Sequence, residues 1–256
     1  MVIRFLGTGT STGVPQIGCR CRVCTSNDPR DKRLRTSALV TTDNQQNLLI
    51  DCGPDFRAQM LAADAPQLSA VLLTHIHYDH VGGIDDMRPY CGQHPNFPVY
   101  CRPDVAENMR NRIPYCFGKN LYLGVPTFDL RTFDDDMPFN IGPDQVTPLP
   151  FMHNVNMPIV GYRIGRLAYV TDCVKMPEES IEKMRGVDTL VINALRHKEH
   201  PSHMNLQQAL DVIAAVNPRI AYLIHLSHDM GCHAEVEPIL PPNVRIAYDG
   251  LTITID

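Results

Sequence analysis

The sequence predicts an α+β fold, a sandwich built from two similar halves, on three observations. Short apolar runs bounded by turn residues alternate with stretches of helical periodicity along the chain. Two of these runs end alike, Leu72-Leu73-Thr74-His75-Ile76-His77 in the first half and Leu223-Ile224-His225-Leu226-Ser227-His228 in the second. The first of them opens Thr74-His75-Ile76-His77-Tyr78-Asp79-His80, where four ligand-type side chains fall within six residues.

A chain of 256 residues can bury one large core, so residues 1–256 are expected to form a single domain. A formal net charge of −5 works against nonspecific attraction to nucleic acid and favours a small-molecule substrate. No run approaches the roughly 18 apolar residues of a membrane span, and Met1–Leu6 is too short for a signal-peptide core. Nine cysteines, an odd number without a secretory signal, indicate reduced or metal-bound thiols in a cytoplasmic protein.

Val2–Leu6 reads as the first strand and runs into Gly7-Thr8-Gly9-Thr10-Ser11-Thr12-Gly13-Val14-Pro15. The glycines permit a tight course with N–H groups near an anion. The Walker spacing is missing, so this segment is either a plain connection or a loop bordering a site. Cys19, Cys21 and Cys24 follow, with Arg20 and Arg22 beside them to favour thiolates. A closed zinc site needs four ligands, and His228, Cys232 and His233 are the candidates for the fourth. Such a clip would join the N-terminal loop to the last third of the chain.

Ser37–Thr42 and Asn47–Asp51 make a hairpin around the polar turn 43–46. Pro54–Ala63 carries Phe56, Met60 and Leu61 at helical spacing, with proline tolerated in the first turn. Asp51 either orients a metal-bound histidine or simply precedes this helix. Ala70–Leu73 is the strand that delivers the histidine motif. In extended backbone His75 and His77 face one side, and Asp79 and His80 on the following turn face a second point nearby, which is a two-metal geometry. Imidazole and carboxylate suit zinc, manganese or iron alike.

Val81–Ile84 turns into a helix carrying Asp85 and Asp86, whose charges complement its dipole rather than add ligands. Val99–Cys101 reads as a strand and Asp104–Arg112 as a helix. Arg110, Arg112, Tyr115, Lys119 and Tyr122 either line a pocket or form a solvated surface. The run Asp134–Asp136 needs water and therefore a loop. Gln145–Phe151 is a strand ending at His153, and Ile159–Ile164 with Leu167–Thr171 makes a hairpin ending at Asp172; rigid strand ends suit metal ligands.

Pro177–Met184 is expected to be a helix and Thr189–Asn193 a strand. Of His197, His200 and His203, the first two read as surface residues because Pro201 breaks a common face. His203 or Asn205 starts the helix Leu206–Val216. Arg219–Ile224 delivers His225, and Arg245–Ala247 with Leu251–Ile255, hinged at Asp249-Gly250, closes the second half as a hairpin.

The order His75-x-His77-x-Asp79-His80, then His153, Asp172 and His225, resembles the metallo-β-lactamase superfamily over nearly the whole chain. The resemblance implies a four-layer αββα sandwich with metals at one edge between its sheets. It implies one metal on His75, His77 and His153, a second on Asp79, His80 and His225, and Asp172 bridging them. Gly7–Pro15, the three cysteines and His225-x-x-His228 are similar to the PhnP branch, the phosphoribosyl cyclic phosphodiesterases. That branch implies a structural zinc on Cys19, Cys21, Cys24 and His228, and a histidine at the scissile phosphate, here His203. The implied enzyme is a hydrolase of a small cyclic ribose or nucleotide phosphodiester, with two zinc or manganese ions about 3.5–4 Å apart and a bridging hydroxide. His203 would protonate the leaving oxygen or hydrogen-bond a nonbridging one, with Asp79 as the alternative proton shuttle. The assembly stays open, a homodimer included.

Three other readings compete. The tRNA 3′-processing endonucleases share the motif and His203 but use a long basic arm, for which Cys101–Asp129 is modest and the chain too acidic. Glyoxalase II thioesterases open with the same Thr-His-x-His-x-Asp-His but add a C-terminal helical domain, for which no room follows His225. Flavin-linked diiron proteins, a redox or binding class, place Glu where His77 stands.

Overall fold

The computed structural model describes residues 1–117 and 124–256, so the pocket expectation for Lys119 and Tyr122 lies outside the described residues. Fourteen strands among the described residues pair into two seven-stranded sheets. The first sheet contains β1 (Val2–Gly7), β2 (Ser37–Thr41), β3 (Asn47–Ile50), β4 (Ala70–Leu72), β5 (Phe97–Cys101) and β6 (Phe128–Thr132). The second contains β7 (Phe139–Ile141), β8 (Asp144–Asn154), β9 (Met157–Ile164), β10 (Leu167–Tyr169), β11 (Thr189–Asn193), β12 (Ile220–Ile224) and β13 (Val244–Ile246). The chain then returns to the first sheet, where β14 (Thr252–Thr254) pairs with β1.

Strand alternation sorts the apolar residues onto two surfaces. Leu48 and Ile50 of β3, with Tyr222 and Ile224 of β12, fill the space between the sheets beside Phe5, Tyr162 and Tyr169. Leu49 of β3, with Val71 and Val99, faces outward onto α1 (Phe56–Ala62), α2 (Tyr78–Val81), α3 (Arg88–Gln93) and α4 (Pro103–Arg112). Ala221 and Leu223 of β12 face α5 (Glu178–Met184), α6 (Leu206–Val216) and α7 (His233–Val236). The result is four layers, αββα, as expected. Asn205 starts α6 through a reciprocal cap: its side chain accepts from the Gln208 N–H at 2.9 Å, and Gln208 Oε1 accepts from the Asn205 N–H at 2.9 Å.

Both sheets share one pairing pattern, three antiparallel contacts followed by three parallel ones. The duplication is therefore visible in topology, but the two runs that suggested it are not equivalent: β4 is the fifth strand of its sheet and β12 the sixth.

Two local expectations change. The last two apolar segments are not a hairpin. β13 lies parallel to β12 in one sheet while β14 lies antiparallel to β1 in the other. The turn between them is held by β1, since the Phe5 N–H donates to Leu251 O at 2.9 Å and the Gly250 N–H donates to Phe5 O at 2.8 Å. The segment after Gly83 is a 3-10 turn, Ile84–Met87, before α3 begins.

Candidate active site

The C-terminal ends of β3, β4, β10 and β12 carry Asp51, the 75–80 motif, Asp172 and His225, and the far end of β8 adds His153. Three of these residues leave their strands in left-handed backbone, Asp51 (φ 61°), Asp172 (φ 59°) and His225 (φ 56°). Non-glycine residues there store strain, which is common where a side chain must be aimed. The motif itself turns tightly over Gly53, where a Cβ would overlap the Asp79 carbonyl.

Each of four histidines has one ring nitrogen engaged and the other turned inward. Asp51 is fully buried and accepts from the Thr74 N–H at 2.8 Å, from Thr74 Oγ1 at 2.8 Å and from His80 Nδ1 at 2.6 Å. Thr74 Oγ1, already donating to Asp51, accepts from His75 Nδ1 at 2.9 Å. His153 Nδ1 donates to the Asp172 carbonyl at 2.7 Å. Thr36 Oγ1 donates to Gly9 O at 2.8 Å and so accepts from His225 Nδ1 at 3.2 Å. These partners favour the tautomers with the proton on Nδ1, so that each Nε2 turns its lone pair toward a common centre.

At that centre His80 Nε2 stands 3.2 Å from Asp79 Oδ2 and 3.1 Å from Asp172 Oδ2, and His225 Nε2 is 3.2 Å from Asp172 Oδ1. Ligand atoms of Asp79, His80, Asp172 and His225 all lie within 4.8 Å of one another. So do those of His153, Asp172 and His203. His75 Nε2 approaches His77 Nδ1 at 3.0 Å. The ring centroids of His75 and His77 lie 5.6 and 4.8 Å from His153, a looser grouping beside the first. All seven predicted donors therefore converge, and Asp172 stands between the two sets.

Burial penalises His80, yet Asp172, Asp79 and Asp51 outweigh it and push its basicity well up. Burial likewise opposes ionisation of Asp172, but His225 and His80 hold its carboxyl well below the usual range. Burial pushes His75 well down, with the His80 charge adding to it. The donor set suits divalent cations. Among the described residues His80 Nε2 and His203 Nδ1 are buried beside carboxylates yet make no well-formed hydrogen bond, and imidazole with carboxylate suits zinc, manganese or iron.

Comparison with known proteins agrees with this geometry. A family model described as the beta-lactamase superfamily domain matches residues 46–226. A crystal structure of a diphosphatase from the PhnP family is 34% identical, with a TM-score of 0.91 over 100% of this chain and 98% of that one. The chain belongs to the metallo-β-lactamase superfamily and is PhnP-like. An octanoyltransferase of Porphyromonas gingivalis is 48% identical to it over 253 residues, 98% of this chain but 51% of that protein. The chain thus spans about half the length of that relative. The zinc-bound PqqB of Methylobacterium extorquens, 22% identical with a TM-score of 0.76 over 99% and 100% of the two chains, shares the fold.

Cys19, Cys21, Cys24 and His228 form a separate cluster with ligand atoms within 4.8 Å of one another. Cys24 Sγ lies 3.3 Å from His228 Nδ1, and the Gln16 N–H donates to Cys24 Sγ at 3.4 Å. The hydrogen bond from the Cys24 N–H helps draw the Cys21 thiol down, whereas burial raises Cys24 to about 11. Cys232 packs against this cluster without joining its ligand atoms, and His233 instead lies against Tyr248.

Several other residues fall into place. The 7–15 loop does border the site, because Thr10 Oγ1 is 3.2 Å from His225 Nε2. Asp85 accepts from Arg88 and from Tyr115, away from the centre. Arg112 donates to Ile76 O at 3.1 Å. His203 is buried, 3.5 Å from Asp172 Oδ1, and stacks on His225. His200 differs from its surface expectation: it is half-buried, with its ring centroid 5.1 Å from that of His203. Thr36 was missed altogether, and the contacts that Thr10 and Thr74 make with His225 and His75 were not read from the motifs that contain them, since a threonine carries no signal until its histidine is known.

Proposed function

We propose that this chain is a two-cation phosphoric diester hydrolase acting on a small cyclic ribose or nucleotide phosphodiester. One cation would be held by His75, His77 and His153, the other by Asp79, His80 and His225, with Asp172 shared. A structural zinc would sit on Cys19, Cys21, Cys24 and His228. The observation that carries the reading is the set of four tautomer-fixed histidines around two carboxylates. The end-to-end likeness to a PhnP-family diphosphatase supports phosphorus–oxygen bond hydrolysis as the reaction class.

Zinc or manganese bound there supplies Lewis-acid polarisation of the phosphoryl oxygens and activation of water at neutral pH. The protein's own groups then do the rest. Asp51, Thr36 and Thr74 keep the ligand rings from turning. Burial draws His203 down to about 3, with the Asp172 carboxylate only partly opposing it. A neutral His203 favours hydrogen bonding to a nonbridging phosphoryl oxygen over delivering the proton that the leaving oxygen needs. Asp79, held ionised by His80 against its burial, is placed to pass a proton from water to that oxygen.

Bis(p-nitrophenyl) phosphate and a 2′,3′-cyclic nucleotide, assayed beside an acyl thioester, test this reading. Diester hydrolysis with little thioesterase activity is expected; robust thioesterase activity with neither diester cleaved would overturn it. Acyl thioester hydrolysis is the second reading, favoured by the name of the Porphyromonas gingivalis relative, and the same panel decides between them.

A further inference from the structure

The loop 196–204 carries three histidines, of which only His203 reaches the centre. Its base is closed by backbone: the Leu195 N–H donates to Met204 O at 2.9 Å and the Leu206 N–H to Arg196 O at 2.9 Å. Side chains hold its interior. Arg196 Nε donates to Lys198 O at 3.2 Å and its Nη2 to Glu199 O at 2.7 Å, while His197 Nε2 donates to Met230 O at 2.9 Å. A loop pinned at its base, inside and to the 228–230 turn can hold a side chain in one place.

The side chain so held is His200. The Ser202 N–H donates to His200 Nδ1 at 3.3 Å, and Ser202 Oγ lies 3.2 Å from the same atom. A backbone N–H can only donate, so Nδ1 accepts and the neutral ring carries its proton on Nε2. His75, His80, His153 and His225 have the opposite arrangement, with the lone pair of Nε2 turned to the centre. Theirs suits a cation, whereas that of His200 suits an oxygen acceptor. Among the described residues no hydrogen bond engages His200 Nε2. Ring distances locate this donor: the His203 ring lies 4.8 Å from that of His153 and 4.9 Å from that of His225, and the His200 ring lies 5.1 Å from that of His203. His203 is buried and His200 only half-buried, so the row of imidazoles runs outward from the centre with His200 as its outer member.

We infer that His200 is a specificity-determining residue whose Nε2–H donates to an oxygen of the substrate's ribose. The inference rests on the hydrolase reading above and deepens it. A phosphoryl group at the cations meets His203, and the part of the substrate that extends past it toward solvent meets His200. In a cyclic ribose phosphodiester that part is the sugar, whose hydroxyl and ring oxygens are acceptors. Selection then comes from a donor left unpaired whenever a diester without a sugar is bound.

The test compares kcat/KM on adenosine 2′,3′-cyclic phosphate with kcat/KM on bis(p-nitrophenyl) phosphate, which has no sugar, for wild type, His200→Phe and His200→Gln. Phenylalanine keeps a ring against His203 and loses the donor, while glutamine restores an N–H without the ring. Calorimetry adds binding of adenosine 3′-monophosphate and of phenyl phosphate to the same proteins without turnover. The preference for the cyclic nucleotide is expected to fall about three- to tenfold in His200→Phe, through KM, as one hydrogen bond is lost, and to recover in part in His200→Gln. Binding of adenosine 3′-monophosphate relative to phenyl phosphate should weaken by a similar factor, and His200→Ala carries the same comparisons if His200→Phe folds poorly. A preference that His200→Phe leaves unchanged, whether both rates fall together or neither does, overturns the sugar contact and leaves the hydrolase reading standing; a fall with no recovery in His200→Gln overturns the donor. Cleavage of neither diester sinks the hydrolase reading, and the binding arm then decides alone: selective weakening of adenosine 3′-monophosphate supports the sugar contact, and its absence overturns it.

Discussion

A histidine serves as a metal ligand only when its ring is held in one tautomer and one direction. Asp51 does this for His80 from full burial. Its carboxyl is raised by that burial and drawn back by His80 and Thr74, so it is sustained by its partners. Replacing it with the isosteric amide should keep the fold but weaken the orientation of His80. Asp51→Asn is expected to lower metal affinity and kcat/KM on bis(p-nitrophenyl) phosphate by about 10–100-fold, and wild-type values for both would show that Asp51 only precedes α1. At this scale the 74–80 motif was legible because four ligand types crowd into a few positions. His153, Asp172 and His225 became legible only by their order after it. Thr10 and Thr36 were not legible, because the imidazole they meet lies 215 and 189 residues away in sequence.

The 19–24 cysteine loop is an element with little core of its own. Val14, Val23 and Cys24 form a small separate cluster, with Cys19 and Cys232 against it. A bound ion would therefore stabilise this loop more than packing does. Cys21→Ser should lose about one zinc per chain by elemental analysis and melt at a lower temperature, whereas unchanged zinc content would rule out the clip. The cysteine spacing was readable, but the choice between His228, Cys232 and His233 was not readable from residue chemistry alone. In the structure the 3-10 turn at His228–Met230, which follows Ser227, brings His228 rather than Cys232 or His233 to the three thiols. The final hairpin was misread for a related reason. Asp249-Gly250 has turn chemistry, yet the chain there crosses between sheets, and the partner that settles this, Phe5, lies at the other end of the sequence.

At the scale of the whole molecule, two sheets of the same pairing pattern pack face to face, and each supplies part of the site. The crossing from β13 to β14 pins the sandwich through Asp249, whose carboxylate accepts from Thr8 Oγ1 at 2.7 Å and from the Leu34 N–H at 2.6 Å. Burial lifts this carboxyl from the usual 3.8 to about 6, against those hydrogen bonds and the Arg33 charge. The folded chain then holds the proton more tightly than the unfolded one, so this group's contribution is fully present below about pH 4 and is lost as pH rises through about 6. Melting curves of Asp249→Asn and wild type should accordingly diverge in the variant's favour across that window, and a pH-independent difference would count against it. The layer order was legible only through the resemblance to the superfamily, because short apolar runs mark strands without saying what covers their second face, while the exchange of the last strand between sheets was not, being a non-local pairing. As proposed, the site holds a pair of cations, and elemental analysis of the purified chain alongside bis(p-nitrophenyl) phosphate turnover, before and after chelation, tests this most directly. About three divalent ions per chain are expected, two of them leaving together with activity and restoring it when zinc or manganese returns; turnover that persists after those two are removed would contradict a two-cation hydrolase.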